Sequence, residues 1–246
     1  MFILIPAALL PAALLLLYIY RKDRIEHEPG RLLGKLFLFG VISAIPAIIL
    51  ETVLGAIIDR TFSGTLHTLV SNFIGIALVE EGCKMFCLKK GSWRNPAFDY
   101  RFDGIVYAVF VSLGFAAIEN VLYVVSYGMS VAISRAIFSI PGHMAFGVFM
   151  GAYYSEAKAL ACAGDMARSK TKLYRALNVP VLLHGAYDFC ASMSSHVLTI
   201  VFFVLVVLLD VGMIRMVRRR AASDAPMPGT AFSAWEPTAT PVSDEM

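Results

Sequence analysis

The sequence predicts an all-α, polytopic membrane domain, and three observations carry that prediction. Of 246 residues, 58% are hydrophobic and only 16% are charged, with a mean hydropathy of +0.71; soluble domains run nearer 25% charged. Apolar stretches of about 20 residues, the length a helix needs to cross a bilayer, recur along the chain. The lysines and arginines gather in alternate connections between those stretches. The connections are too short for a separate soluble domain, so residues 1–220 read as one integral-membrane domain. Residues 221–246 place Pro226, Pro228, Pro237 and Pro241 among Ser, Thr and Ala without apolar periodicity, which predicts a disordered cytosolic tail.

Seven spans are expected, at roughly 2–20, 36–58, 66–88, 104–127, 131–157, 173–193 and 197–215. The first lacks a basic leader and a small-residue cleavage site, and it ends Tyr18-Ile19-Tyr20-Arg21-Lys22. Aromatic residues suit an interface and the basic flank suits the cytosol, so it reads as an uncleaved span. In the second, Glu51 lies toward Asp59 and Arg60 and is expected to reach the outer interface. The third carries Glu80, Glu81 and Lys84, and the fourth carries Glu119. In the fifth, His143, Gly147 and Gly151 share a face that lets a neighbouring helix approach closely, and Pro141 is expected to kink the helix. The sixth holds His184 and Asp188, with Pro180 one turn earlier. The seventh ends near the basic flank, where Asp210 can snorkel.

Basic residues cluster in 21–35, 89–101, 158–175 and 215–220, whereas the opposite connections hold only Arg60 and Arg135. By the positive-inside rule the N-terminus is expected outside and the C-terminus in the cytosol. The net charge of +3 reflects this topology and contact with the lipid bilayer, and gives no case for nucleic acid. Cys83, Cys87, Cys162 and Cys190 imply no disulfide framework. Cys83 and Cys87 stand one turn apart and read as packing residues.

Ionisable side chains at membrane depth are costly and usually face a protein interior or a wet cavity. Asn72, Ile76, Glu80 and Lys84 fall on one helical stripe, and Glu80 and Lys84 are spaced for an i, i+4 ion pair. Lys84 supplies the counter-charge that an ionised general base needs at this depth. One lysine cannot neutralise both Glu80 and Glu81, which argues against a purely structural pair. His184 and Asp188 share a face, so the carboxylate can orient the imidazole. Glu119 has no basic partner within one turn and must find one on another helix or in water. Counting 1.5 Å per residue puts Glu80 about 13 Å from Lys89 but Glu119 about 27 Å from Arg101. The fourth helix must therefore tilt or begin deeper than the charge boundary for Glu119 to join the others.

The motifs EExxK (Glu80, Glu81, Lys84), FxxxE (Phe115, Glu119) and HxxxD (His184, Asp188), in this order on successive spans, resemble the PrsW family of intramembrane proteases. That family is similar to the CAAX prenyl protease and bacteriocin-immunity group of glutamate-dependent membrane enzymes. The resemblance covers roughly residues 30–215, and His143 falls where such proteins often carry a further histidine. It implies that the glutamate pair activates water and that Glu119, His184 and Asp188 complete the site. It also implies a membrane-anchored protein substrate, of which anti-sigma factors are the associated class. The CAAX group has histidine in place of Glu119 and commonly asparagine in place of Asp188, which speaks against a prenylated substrate.

The expected chemistry is hydrolysis of a peptide bond in or beside the bilayer, with Glu80 as base toward a water. His143, His184 and Glu119 form one conceivable zinc set with an open position. A metal-free glutamate mechanism stays equally open, because there is no HExxH motif. The alternatives are a non-catalytic membrane scaffold, which has no need of a carboxylate pair, and an ion-coupled transporter, for which no inverted repeat is evident. The oligomeric state is left open.

Overall fold

The computed structural model describes residues 4–229. Among these it is all-helical, with one isolated β-bridge between Tyr100 and Pro226. The helices in chain order are α1 Leu4–Lys22, α2 Gly30–Thr61, α3 Gly64–Val70, a π-helical segment Ser71–Ala77, α4 Leu78–Ser92, α5 Asp103–Tyr127, α6 Met129–Ile137, α7 Ser139–Cys162, α8 Met166–Ser192 and α9 His196–Ala222.

Five stretches are long and apolar enough to cross a membrane: Leu4–Lys22, Gly30–Thr61, Asp103–Tyr127, Met129–Cys162 and His196–Ala222. The seven spans expected are thus reduced to five by this measure. The other two stretches, 64–92 and Met166–Ser192, are also helical. They carry Glu80, Glu81 and Lys84 in one case and Lys170, Lys172, Arg175 and Asp188 in the other. The charge that makes them chemically interesting is what lowers their hydropathy.

Helix α5 is the axle of the bundle, packing against α1, α2, α4, α6 and α7. It is buried almost throughout from Asp103 to Ala117, as befits a helix apolar on most sides, and its last turns are exposed. Small residues set its closest contacts. A Cβ on Gly114 would lie 2.2 Å from the Phe37 carbonyl oxygen of α2, and one on Gly151 of α7 would lie 2.4 Å from the Gly104 carbonyl oxygen. Backbones at this distance need glycine, since lipid supplies no hydrophobic drive between helices and close packing must. The α7 stripe read from His143, Gly147 and Gly151 therefore does meet a neighbour, and that neighbour is α5. Conversely α2 and α9 turn Ile45, Ile49, Val53, Ile200, Val204 and Leu208 outward, where acyl chains cover them.

Pro141 does not kink a long fifth helix. The break lies at Phe138, between α6 and α7, and Pro141 occupies the first turn of α7, where a missing N–H has no helical partner to lose. At the basic end of the bundle the chain is stitched shut. Asp103 accepts from the amides of Asp99 and Tyr100, so α5 starts from a buried turn. Residues 221–229, expected to open a disordered tail, are instead packed: the Asp224 carboxylate accepts from the Phe102 amide at 2.8 Å, and Met227 is fully buried. The remaining residues of that expected tail lie outside the described ones.

Candidate functional site

The π-helical segment Ser71–Ala77 comes immediately before α4 and carries Asn72 on its inner side. Wide π turns recur at functional sites because they shift the face a helix presents. Here Asn72, Ile76 and Glu80 all reach one cavity of about 510 Å³. The same cavity is lined by Glu119 from α5, Arg135 from α6, His143 from α7, and His184 and Asp188 from α8. Four of the five helices contributing these ionisable groups are packed against one another around it, which is how a bilayer protein keeps charge away from lipid.

The side chains form one hydrogen-bonded chain. Lys84, fully buried, donates to Glu80 Oε2 at 2.9 Å, to Glu81 Oε1 at 2.8 Å and to His143 Nδ1 at 3.1 Å. An ammonium has three hydrogens, and all three are used. Since Nδ1 of His143 accepts, its proton is on Nε2, which donates to Glu119 Oε2 at 2.9 Å. The same Glu119 oxygen pairs with the Arg135 guanidinium at 2.9 Å. On the other side, Glu81 Oε1 lies 3.0 Å from His184 Nδ1, and His184 Nε2 lies 3.1 Å from Asp188 Oδ2. The Phe115 ring sits under the Lys84 ammonium at 4.2 Å, and Phe146 stacks on the His184 ring at 4.6 Å. These aromatic faces hold the charged groups without competing for their hydrogen bonds.

Every residue singled out in the sequence is thus found here: Glu80, Glu81, Lys84, Glu119, His143, His184 and Asp188 belong to one network. Their grouping differs from the expected zinc set. Both ring nitrogens of His143 are engaged, one by Lys84 and one by Glu119. The trio whose ligand atoms all lie within 4.8 Å of one another is Glu80, Glu81 and His184. Two features fit a cation there. Glu81 Oε2 is buried with no hydrogen-bond partner, and with Nε2–H of His184 committed to Asp188, a proton or a metal ion has to sit between Nδ1 and Glu81. Two carboxylates and an imidazole whose far nitrogen meets an acid are a familiar donor set for zinc and similar divalent ions.

Three cavity residues escaped the sequence reading. Glu51 lines the cavity instead of reaching the outer interface, and its Oε1 is buried without a partner. Its signal was visible, since it is an acid within an apolar stretch. Arg135 also donates to Asn120 Oδ1 at 2.9 Å and lies 4.1 Å above the Tyr123 ring. It is one of only two cations in the connections opposite the basic ones, which was its signal. Tyr187 lines the cavity with a hydroxyl that has no partner, and nothing in the sequence distinguished it from other interfacial tyrosines.

Comparison with known proteins gives the family. Residues 28–212 match the profile of the PrsW family of intramembrane metalloproteases. Protease PrsW of Bacillus subtilis is 36% identical over 196 residues, covering 80% of this chain and 86% of that protein. Protease PrsW of Geobacillus kaustophilus is 36% identical over 189 residues, covering 76% and 79%. Protease PrsW of Clostridioides difficile is 34% identical over 206 residues, covering 82% and 84%. No solved structure matches the chain. The matched span takes in every group of the network from Glu80 to Asp188, so the chain belongs to the PrsW family of intramembrane peptidases.

Proposed function

We propose that this peptidase cuts a membrane-anchored protein with Glu80 as the base that takes a proton from the attacking water. The observation that supports this most is the placement of Glu80. It faces the cavity, whereas Glu81 is wholly enclosed behind it. Lys84 bonds both carboxylates, so Glu80 has a fixed orientation and a counter-charge before substrate arrives. A base must lie within hydrogen-bond reach of the proton it removes, and Glu80 is the acid of the pair with access to the cavity.

Glu81 and His184 would hold the metal that the family description implies, with Glu80 beside them left free as the base, and Asp188 would fix the His184 tautomer from behind. Such an ion, when bound, polarises a carbonyl and lowers the pKa of a water in its open position. His143 and Glu119 stand on the opposite side, where His143 Nε2–H and the Arg135 guanidinium can turn toward a developing oxyanion or a departing amine. Glu119 holds both donors in the resting arrangement.

Asn72, Ser192, Arg135 and Ser139 line the cavity near helix ends remote from the basic clusters. With the basic ends in the cytosol and all seven helical stretches crossing, the cavity opens in the outer half of the bilayer. The scissile bond then lies in the outer part of the substrate's anchor or just beyond it, and an anti-sigma-factor-like regulator with one span is a fitting class. Replacing Glu80 by Gln keeps an acceptor for Lys84 but removes the base. Cleavage of a membrane-anchored reporter by Glu80→Gln protein should fall by about 10²–10⁴-fold with helix content unchanged. Cleavage at the wild-type rate would exclude Glu80 as the base.

A further inference from the structure

The helix that carries Glu80, Glu81 and Lys84 has a second face, and that face is not covered by protein. Between α2 and α4 runs an apolar groove of about 510 Å³, walled by Phe39 and Phe86 and floored by small side chains such as Ser43, Gly82 and Cys83. A Cβ at Gly82 would meet nothing within 4 Å, and the Ser43 hydroxyl is spent on the Gly40 carbonyl, so the floor is both open and apolar. At the basic end the groove runs into a depression of about 550 Å³ lined by Phe86, Lys89, Lys90, Trp93 and Arg94. Phe86 and Lys90 line both, which makes the two one continuous site.

We propose that this groove binds one anionic phospholipid, with an acyl chain between α2 and α4 and its phosphate among Lys89, Lys90 and Arg94. Length is the first argument. From Leu50 to Phe39 on α2 and from Leu78 to Lys90 on α4 the groove spans about 16–18 Å at 1.5 Å per residue. That is close to half of a hydrocarbon core about 30 Å thick, so it accommodates one leaflet's acyl chain. Charge is the second. No acid lines either part, and each aromatic wall carries a lysine at its basic end: Lys35 lies 5.3 Å from the Phe39 ring and Lys90 5.8 Å from the Phe86 ring. Lys89 lies 5.9 Å from the Trp93 ring, an interfacial anchor at headgroup level. A zwitterionic headgroup brings its own cation into this cluster, whereas an anionic one brings only the phosphate charge. The groove lies on the opposite face of α4 from Glu80, Glu81 and Lys84, so its occupant cannot be a segment being cut. It bears instead on the position of the helix that holds the site.

The test uses the full chain in nanodiscs of phosphatidylcholine containing a small fraction of photoactivatable phosphatidylglycerol, with crosslinks mapped by mass spectrometry. Crosslinks should concentrate on peptides containing 39–50 and 78–90, and exceed those from photoactivatable phosphatidylcholine by tenfold or more. Lys89→Gln with Lys90→Gln should lower that labelling by roughly fivefold per cation removed. Gly82→Phe, which fills the floor, should abolish groove labelling while leaving labelling elsewhere on the chain intact. Equal labelling by the two lipids, or labelling indifferent to both variants, would overturn the proposal and leave the groove as a place where bulk lipid passes.

Discussion

At the scale of single residues, the site turns on Lys84. Its three hydrogen bonds connect two acids on its own helix to a histidine 59 positions away. The pairing with Glu80 was legible from i, i+4 spacing, whereas the bond to Glu81, which the sequence analysis set apart from the pair, was not. The pairing with His143 was not, because spacing within a helix says nothing about which face of a distant helix arrives opposite. For the same reason the expected ligand set differs from the trio the structure brings together: His143 was legible as a site residue, but its commitment to Lys84 and Glu119 was not. Asp188 was legible as the partner of His184, and its role is testable. Asp188→Asn removes the acid behind the imidazole, so metal affinity measured by competition with a chromophoric chelator should fall by about 10–100-fold. Unchanged affinity would mean that Asp188 serves the packing of α8 only.

At the scale of elements, the small-residue stripe of α7 was readable because Gly147 and Gly151 recur every fourth residue, and the structure seats it on α5. The π-helical Ser71–Ala77 was not legible, because no residue motif in the sequence marks where a helix widens. Glu119 joins the other groups 16 residues into α5, bonded to His143, and the start of that helix is fixed just after Arg101. The Arg101 amide bonds the Ala225 carbonyl in a turn folded beneath the bundle, and α5 begins only at Asp103. The connection between α1 and α2 belongs to this same closure. Glu28 is buried against Tyr107, whose hydroxyl donates to it at 2.6 Å. Burial pushes the Glu28 carboxyl up to about 7, against the pull of the Tyr107 hydrogen bond, and pushes Asp23 up to about 6. A raised acid binds its proton more tightly folded than unfolded, so its contribution to stability is complete below about 4.5 and is lost as pH climbs through 7. Thermal melts in detergent should therefore show wild-type protein weakening between pH 5 and pH 8. Glu28→Gln, which keeps an acceptor for Tyr107, should recover about 1–3 kcal/mol at pH 8 and little at pH 5. A variant that melts below wild type at both values would refute this reading.

At the scale of the molecule, the all-helical class and the membrane setting followed from composition, and the family followed from three short motifs in order. Span counting was less secure for a physical reason. The two helical stretches that build most of the site, 64–92 and Met166–Ser192, are the ones whose hydropathy the site depresses. The two less apolar stretches turn their ionisable faces toward the neighbouring helices, which lets the Lys84 and Glu81 side chains be fully buried in a lipid-facing protein. The central claim is that Glu81 and His184 hold one divalent ion beside Glu80 and the cavity. The most direct measurement is metal content by mass spectrometry on protein purified without added metal, run beside Glu81→Gln and His184→Ala. The account predicts about one divalent ion per wild-type chain and almost none in either variant, with helix content retained. Wild-type protein that is metal-free and cleaves its reporter at full rate would contradict it.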